Sequence, residues 1–198
     1  MTKQLTRAPR FAIAIQFAVW LCPAQSDTTS FDCSKARNSV EKLVCADQDL
    51  AKLDRKLSDL YKSIEKNPDQ AAEHRASQQK WLRSRNACSK SSEVKTCVQS
   101  SYEHRIAEIQ IQSGSLQAPP VVHYNCPTAD QSKPLTASFY NETDPPSAVL
   151  TYGSDQIIAM LQRSGSGARY GTADVEYWEH QGEAIVTWRG KKFTCKVK

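Results

Sequence analysis

Gln112-Ser113-Gly114-Ser115-Leu116-Gln117-Ala118-Pro119-Pro120 is the stretch on which the organisation of this chain turns. Small residues and paired prolines in succession carry neither a helical nor a strand pattern, and they mark a linker. On its N-terminal side glycine is absent from Gln25 to Gln112 and apolar residues recur every three or four positions; on its C-terminal side they recur every second position. The two periods belong to helices and to strands. The expected class is therefore α+β, an all-α disulfide-stapled domain followed by a small antiparallel β-barrel. The expected divisions are 1–24 (leader), 25–111 (helical domain), 112–120 (linker) and 121–198 (barrel).

Leu50, Leu53, Leu57, Leu60 and Ile64 form one apolar stripe. Asp47 stands where an N-cap belongs and Asn67-Pro68 ends the run, which predicts a helix over 48–66. A short helix over 40–45 is expected before it, with others over 69–87 and 92–111. Fewer than ninety residues of helix bury little surface, so covalent staples are expected to matter. Six cysteines allow fifteen connectivities. Proximity in sequence favours Cys33 with Cys45, pinning the N-terminal segment, and Cys88 with Cys97, locking the last helical hairpin.

Beyond the linker the alternating positions are Val122, Tyr124, Cys126; Leu135, Ala137, Phe139; Ala148, Leu150, Tyr152; Ile158, Met160; Val175, Tyr177; Ile185, Thr187; and Phe193, Cys195, Val197. Seven or eight short strands with turns between them read as a barrel or a sandwich, the barrel being the expectation. A bond from Cys126 on the first strand to Cys195 on the last would clasp its ends.

The chain starts with Lys3, Arg7 and Arg10 and no acid, then runs apolar from Phe11 to Leu21 with Gln16 as the one break. That is the pattern of a signal peptide, and it is too short to span a bilayer. Cleavage after Ala24 is expected. A lipid anchor on Cys22 is the rival reading, set aside because Trp20-Leu21 stands where a lipoprotein signal has a small residue. Removing the leader leaves six cysteines, an even number suited to an oxidising compartment, so a periplasmic or secreted location is expected. It also removes three basic residues and lowers the formal charge from +5 to +2, against a nucleic-acid partner.

His74, His104, His123 and His180 fall in no metal-ligand spacing, and no nucleophile elbow, phosphate loop or dinucleotide fingerprint is present. Neither a cofactor nor an enzymatic activity is expected. Asp47, Asp49, Asp54 and Asp59 alternate with Lys52, Arg55, Lys56 and Lys62 and read as a solvated helix face. Trp81 and Leu82 read as core, Arg83 and Arg85 as surface. Ser164-Gly165-Ser166-Gly167 is compatible with a plain glycine hairpin. The neighbouring segments Ala168-Arg169-Tyr170 and Tyr177-Trp178-Glu179-His180-Gln181-Gly182-Glu183-Ala184 are more specific.

From His123 to Val197 these segments resemble the membrane-bound or periplasmic inhibitors of C-type lysozyme, whose barrel carries a Ser-x-Ser-Gly-Ala-Arg-Tyr loop, here Ser164 to Tyr170. Residues 31–110 resemble the N-terminal domain of the LprI type of lysozyme-inhibitor lipoprotein. The likeness rests on Phe31-Asp32-Cys33, Val40-Glu41-Lys42-Leu43-Val44-Cys45, Leu53-Asp54 and Gln79-Lys80-Trp81-Leu82-Arg83-Ser84-Arg85-Asn86-Ala87-Cys88.

The resemblance implies a protein partner, C-type lysozyme, and a loop that enters its cleft. Lysozyme works with two carboxyl groups facing each other, one protonated and one ionised. By resemblance Ser166 is the hydroxyl that bonds a carboxyl, Gly165 and Gly167 let the backbone into the groove, Ser164 supports, and Arg169 and Tyr170 brace the loop or meet the rim. The family also carries a later Trp-x-Lys-Gly segment ending in Glu-Ala, whose lysine falls on His180 when Trp178 is aligned, or on Gln181 when Gly182 is. Histidine titrates near ~6.5, so that replacement predicts tighter inhibition in mild acid. The competing reading is an envelope module that binds peptidoglycan or another envelope protein without inhibiting anything.

Overall fold

The computed structural model describes residues 29–65, 71–130 and 132–198. The expected leader, its cleavage point, Cys22 and the Asn67-Pro68 stop lie outside the described residues. Four α-helices are formed among them: α1 (Ser39–Ala46), α2 (Gln48–Ile64), α3 (Ala71–Ala87) and α4 (Val94–Gln112). Each falls within two residues of its expected ends, and short 3-10 turns at Cys33–Lys35 and Cys88–Lys90 had no sequence signal.

Local chemistry starts the helices. Asn38 caps α1 by accepting from the Glu41 N–H at 2.9 Å, and Asp47 caps α2 by accepting from Asp49 and Leu50. Lys95 of α4 reaches the other Asp47 oxygen at 2.5 Å. Leu50 and Leu57 of the predicted stripe are fully buried against Val98, Tyr102 and Ile106 of α4. Each such aliphatic side chain stabilises by roughly 1.5–3 kcal/mol relative to exposure. The disulfides Cys33–Cys45 and Cys88–Cys97 close loops of 12 and 9 residues.

Three side chains of this half depart from the expected placement. Leu82 is 36 % exposed rather than core, whereas Arg85 is 3 % and Asp54 6 % exposed. Both charges are buried because Tyr102 lies between them: Arg85 Nη1 donates to its hydroxyl at 2.7 Å, and that hydroxyl donates to Asp54 Oδ1 at 2.9 Å. The second Asp54 oxygen accepts from the Ser30 N–H at 2.6 Å. A mutually bonded set of this kind lets charge sit inside a helical core.

The strands are β1 (Val122–Asn125), β2 (Leu135–Tyr140), β3 (Ser147–Tyr152), β4 (Asp155–Gln162), β5 (Ala168–Gly171), β6 (Val175–His180), β7 (Glu183–Trp188) and β8 (Lys191–Val197). Each is antiparallel to the next, and β1 pairs with β8, so the sheet closes and has no open edge. Small and large residues alternate inside, with Ala137, Ala148, Ala159 and Ala184 leaving room for Tyr124, Tyr152, Tyr177, Trp188 and Phe193. The Cys126–Cys195 bond spans 69 residues; Cys126 lies one residue past β1 rather than on it. A loop of that length restrains the unfolded chain by ~4 kcal/mol.

The sequence pattern mistook the inward face of two strands. On β4 the core residue is Ala159, with Ile158 and Met160 on the other face; on β7 it is Ala184, Val186 and Trp188 rather than Ile185 and Thr187. On β4 apolar residues stand on both sides, so alternation gives no phase; on β7 the single outward Ile185 between Glu183 and Thr187 misled the reading, while Ala184, Val186 and Trp188 carry the apolar face. Part of the outer face of β4 is covered by α4, where His104 Nε2 lies 3.1 Å from the Ile158 carbonyl. β5 was not anticipated as a strand. No described helix is long and apolar enough to cross a membrane.

Candidate functional site

β4 ends at Gln162 and β5 begins at Ala168, leaving residues 163–167 to turn the chain outward. The Ser164 hydroxyl holds this turn together from inside: it donates to the Ser166 carbonyl, lies 3.2 Å from the Gly167 carbonyl, and accepts from the Ser166 N–H at 3.2 Å. Ser166 is exposed, and its own hydroxyl has no hydrogen-bond partner among the described residues. The loop therefore presents a free donor–acceptor group on a constrained backbone.

Two contacts fix the loop to β6. Trp178 Nε1 donates to the Ser166 carbonyl at 2.9 Å. Gly167, at φ +68°, passes so close to the strand that a Cβ there would sit 1.9 Å from the Glu179 carbonyl oxygen. Glycine is required at that position on both counts. Gly165 differs: a Cβ would meet nothing within 4 Å, so the fold itself makes no demand for glycine there.

Arg169 is opposite Trp178 in the β5–β6 register, and its guanidinium pairs with Glu176 on the same strand as Trp178. Its Nε is buried without a partner. Tyr170 does not meet the rim. Its ring is 5 % exposed, packs 5.4 Å from Phe139 and 6.3 Å from Tyr177 inside the barrel, and burial pushes its phenol up from the ordinary range. The alternation of β5 turns Tyr170 inward, so it anchors the base of the loop.

The second segment makes the β6–β7 hairpin. Gln181 at φ 55° and Gly182 at φ 81° are the two turn residues, the pattern of a type I′ turn, and Glu179 Oε1 accepts from the Gly182 N–H at 3.1 Å. His180 ends β6 opposite Glu183, with its ring stacked on Trp178 at 6.0 Å and an interplanar angle of 24°. One indole thus touches both the loop and the imidazole, and brings Ser166 and His180 to one face.

Beside them a hollow of about 430 Å³ is lined by Trp178, His180, Gln181, Glu183, Ile185 and Lys196. Lys196 pairs with Glu183 at 3.0 Å because β7 and β8 set those residues opposite each other. Trp178 served in the sequence only to align the second segment, and Lys196 was not singled out. Lys196 had no signal, since its adjacency depends on strand register. Among the described residues no group of His, Cys, Asp and Glu could hold a metal ion.

Comparison with known proteins bears on both halves. Residues 33–109 match the family model described as lysozyme inhibitor LprI, and residues 124–194 match that of the membrane-bound lysozyme-inhibitor of c-type lysozyme. Lipoprotein LprI of Mycobacterium bovis and that of Mycobacterium tuberculosis are each 43 % identical over 168 residues, covering 85 % of this chain and 84 % of theirs. No solved structure matches the chain. With that identity sustained across the helices and the barrel alike, the chain belongs to the LprI family of lysozyme-inhibitor proteins.

Proposed function

We propose that this protein is a non-enzymatic inhibitor of C-type lysozyme that acts from the cell envelope or outside it, by inserting the Ser164–Tyr170 loop into the lysozyme cleft. Family membership supports the inhibitor role, and the words membrane-bound and lipoprotein in the matching descriptions support the location. The observation that carries the loop assignment is the Ser166 hydroxyl, exposed and unpartnered on a backbone held by Ser164, Trp178 and the close approach of Gly167.

A hydroxyl can donate to an ionised carboxylate and accept from a protonated one, which is what a lysozyme cleft presents. Because the loop is already ordered, little conformational freedom is lost on insertion. Arg169, His180, Gln181 and Lys196 supply the surrounding polar surface, with Arg169 held by Glu176 and Lys196 by Glu183. Gly165 keeps the tip narrow. Tyr170 contributes from within the barrel.

The test is lysis of a cell-wall suspension by a C-type lysozyme, followed by turbidity, with the mature protein and with its Ser166→Ala/His180→Ala double variant. The wild type is expected to slow lysis and the double variant to do so at least about tenfold less well, the equivalent of ~1.4 kcal/mol. Equal inhibition by the two would move the contact surface elsewhere.

A further inference from the structure

The helical half contains a groove of about 540 Å³ lined wholly by its own residues, none of them from the Ser164–Tyr170 loop. Its volume is that of a small-ligand site. Phe31, Leu57 and Trp81 give it apolar walls, Arg85 lies at its floor and Arg37 at its exposed side.

The donors and acceptors of this groove are unequally satisfied. Asp32 accepts from the Ser34 N–H and hydroxyl and pairs with Lys35; Glu41 accepts from the Arg37 N–H; Asp54 is bonded to Tyr102 and Ser30. The hydrogen bond from Arg37 is the main cause holding the Glu41 carboxyl below its ordinary value. All three carboxylates are thus occupied.

The guanidinium groups are only partly so, although Arg85 also acts electrostatically on Glu41. Arg85 lies over the rings of Trp81 and Tyr102 at 5.3 and 5.5 Å, with Nε and Nη2 on the Asn86 oxygen and Nη1 on the Tyr102 hydroxyl. One N–H on each terminal nitrogen remains without a partner among the described residues. Unspent donors on a buried cation are costly unless something accepts from them. The Arg37 side chain likewise has no partner among the described residues.

We propose that this groove is a binding site for a short peptide with a free terminal carboxylate, received by Arg85 and Arg37, while Phe31, Leu57 and Trp81 take the adjoining side chain. Guanidinium forks match a carboxylate, and capture of a chain terminus by its charge is a recurring mode of peptide recognition. Two sources share this chemistry: a protein C-terminus, all in the L configuration, and a cell-wall peptide stem, in which L and D residues alternate.

The experiment is calorimetric titration of the mature chain with the tetrapeptide Ala-Glu-Lys-Ala, as free acid and as C-terminal amide, each in all-L and alternating L,D form. A free acid is expected to bind more tightly than ~1 mM, and its amide about tenfold more weakly. Arg37→Ala, an exposed change, should weaken the free acid about tenfold, whereas Arg83→Ala, the same loss of charge outside the groove, should not. The configuration that binds more tightly assigns the source. Equal affinity for acid and amide, or no binding up to about 10 mM, overturns the proposal. Ser166→Ala should leave peptide binding unchanged and Arg37→Ala should leave lysozyme inhibition unchanged, so this site and the inhibitory loop fail or stand separately.

Discussion

The indole nitrogen of Trp178 donates to the carbonyl of Ser166 at 2.9 Å, tying the tip of the 163–167 loop to β6, where the same ring stacks on His180. Trp178→Phe keeps a ring for stacking and removes the donor. One hydrogen bond contributes about 1 kcal/mol. The inhibition constant is therefore expected to rise about fivefold while unfolding shifts by no more than that energy. A variant that inhibits like the wild type would show that this bond does not hold the loop for binding.

The two loop glycines should separate cleanly. Gly167→Ala places a Cβ against the Glu179 carbonyl at a positive φ and is expected to destabilise the barrel by about 1–3 kcal/mol. Gly165→Ala meets open space and should leave thermal unfolding unchanged. If the tip enters a narrow cleft, the Gly165 variant nonetheless loses inhibition. Unaltered inhibition with Gly165→Ala would argue against deep insertion.

The position of His180 beside the loop predicts inhibition that depends on pH. Its ring faces Trp178 on β6 and stands opposite Glu183 on β7, which is paired with Lys196 of β8; Glu179 precedes it on the strand. In the proposed binding mode this face meets carboxylates, so an added positive charge on the ring should tighten binding on acidification. The inhibition constant is expected to be lower at pH 5.5 than at pH 8, after correction for the lysozyme's own profile, with the difference lost in His180→Ala. A wild type indifferent to pH would dispose of the idea.

Stability should fall in alkali for a different reason. Burial raises the phenols of Tyr102, Tyr124, Tyr170 and Tyr177 above the ordinary range, desolvation being the largest cause in each. The native chain then keeps protons that the unfolded chain releases near pH ~10, so their contribution is complete below that pH and is lost above it. Denaturant unfolding at pH 8, 10 and 11 should show stability first level and then declining. Tyrosinate absorbance should rise late and together with unfolding. Early ionisation of these phenols in the folded protein would contradict the burial argument.

Much of the fold is legible in the chain itself. The helix limits come from Asp47, from the leucine stripe and from the linker after α4, and the three disulfides join the cysteines that proximity and strand order suggest. The expected strand count is close. At Ile158 the strand is misphased because both faces of β4 carry apolar residues and the two-residue period has little to contrast; at Ile185 a lone outward isoleucine outweighed the Glu183 and Thr187 beside it on the same face.

Asp54 and Arg85 are misplaced by sequence because each, weighed as a lone charge, belongs in water. Only packing brings Tyr102, from a helix forty-eight residues away from Asp54, between them. The same holds for Lys196 beside Glu183 and for Trp178 beneath Ser166.

Amino-acid order determined by itself most of the elements, the change from helices to strands between Gln112 and Val122, the cysteine set and the serine–glycine loop, because caps, periods and turns act over a few residues. The tertiary structure alone decided which charges are buried, which strand faces look inward, and which side chains share the surface around Ser166. Those depend on register and on contacts between segments far apart in the chain, which no local pattern encodes.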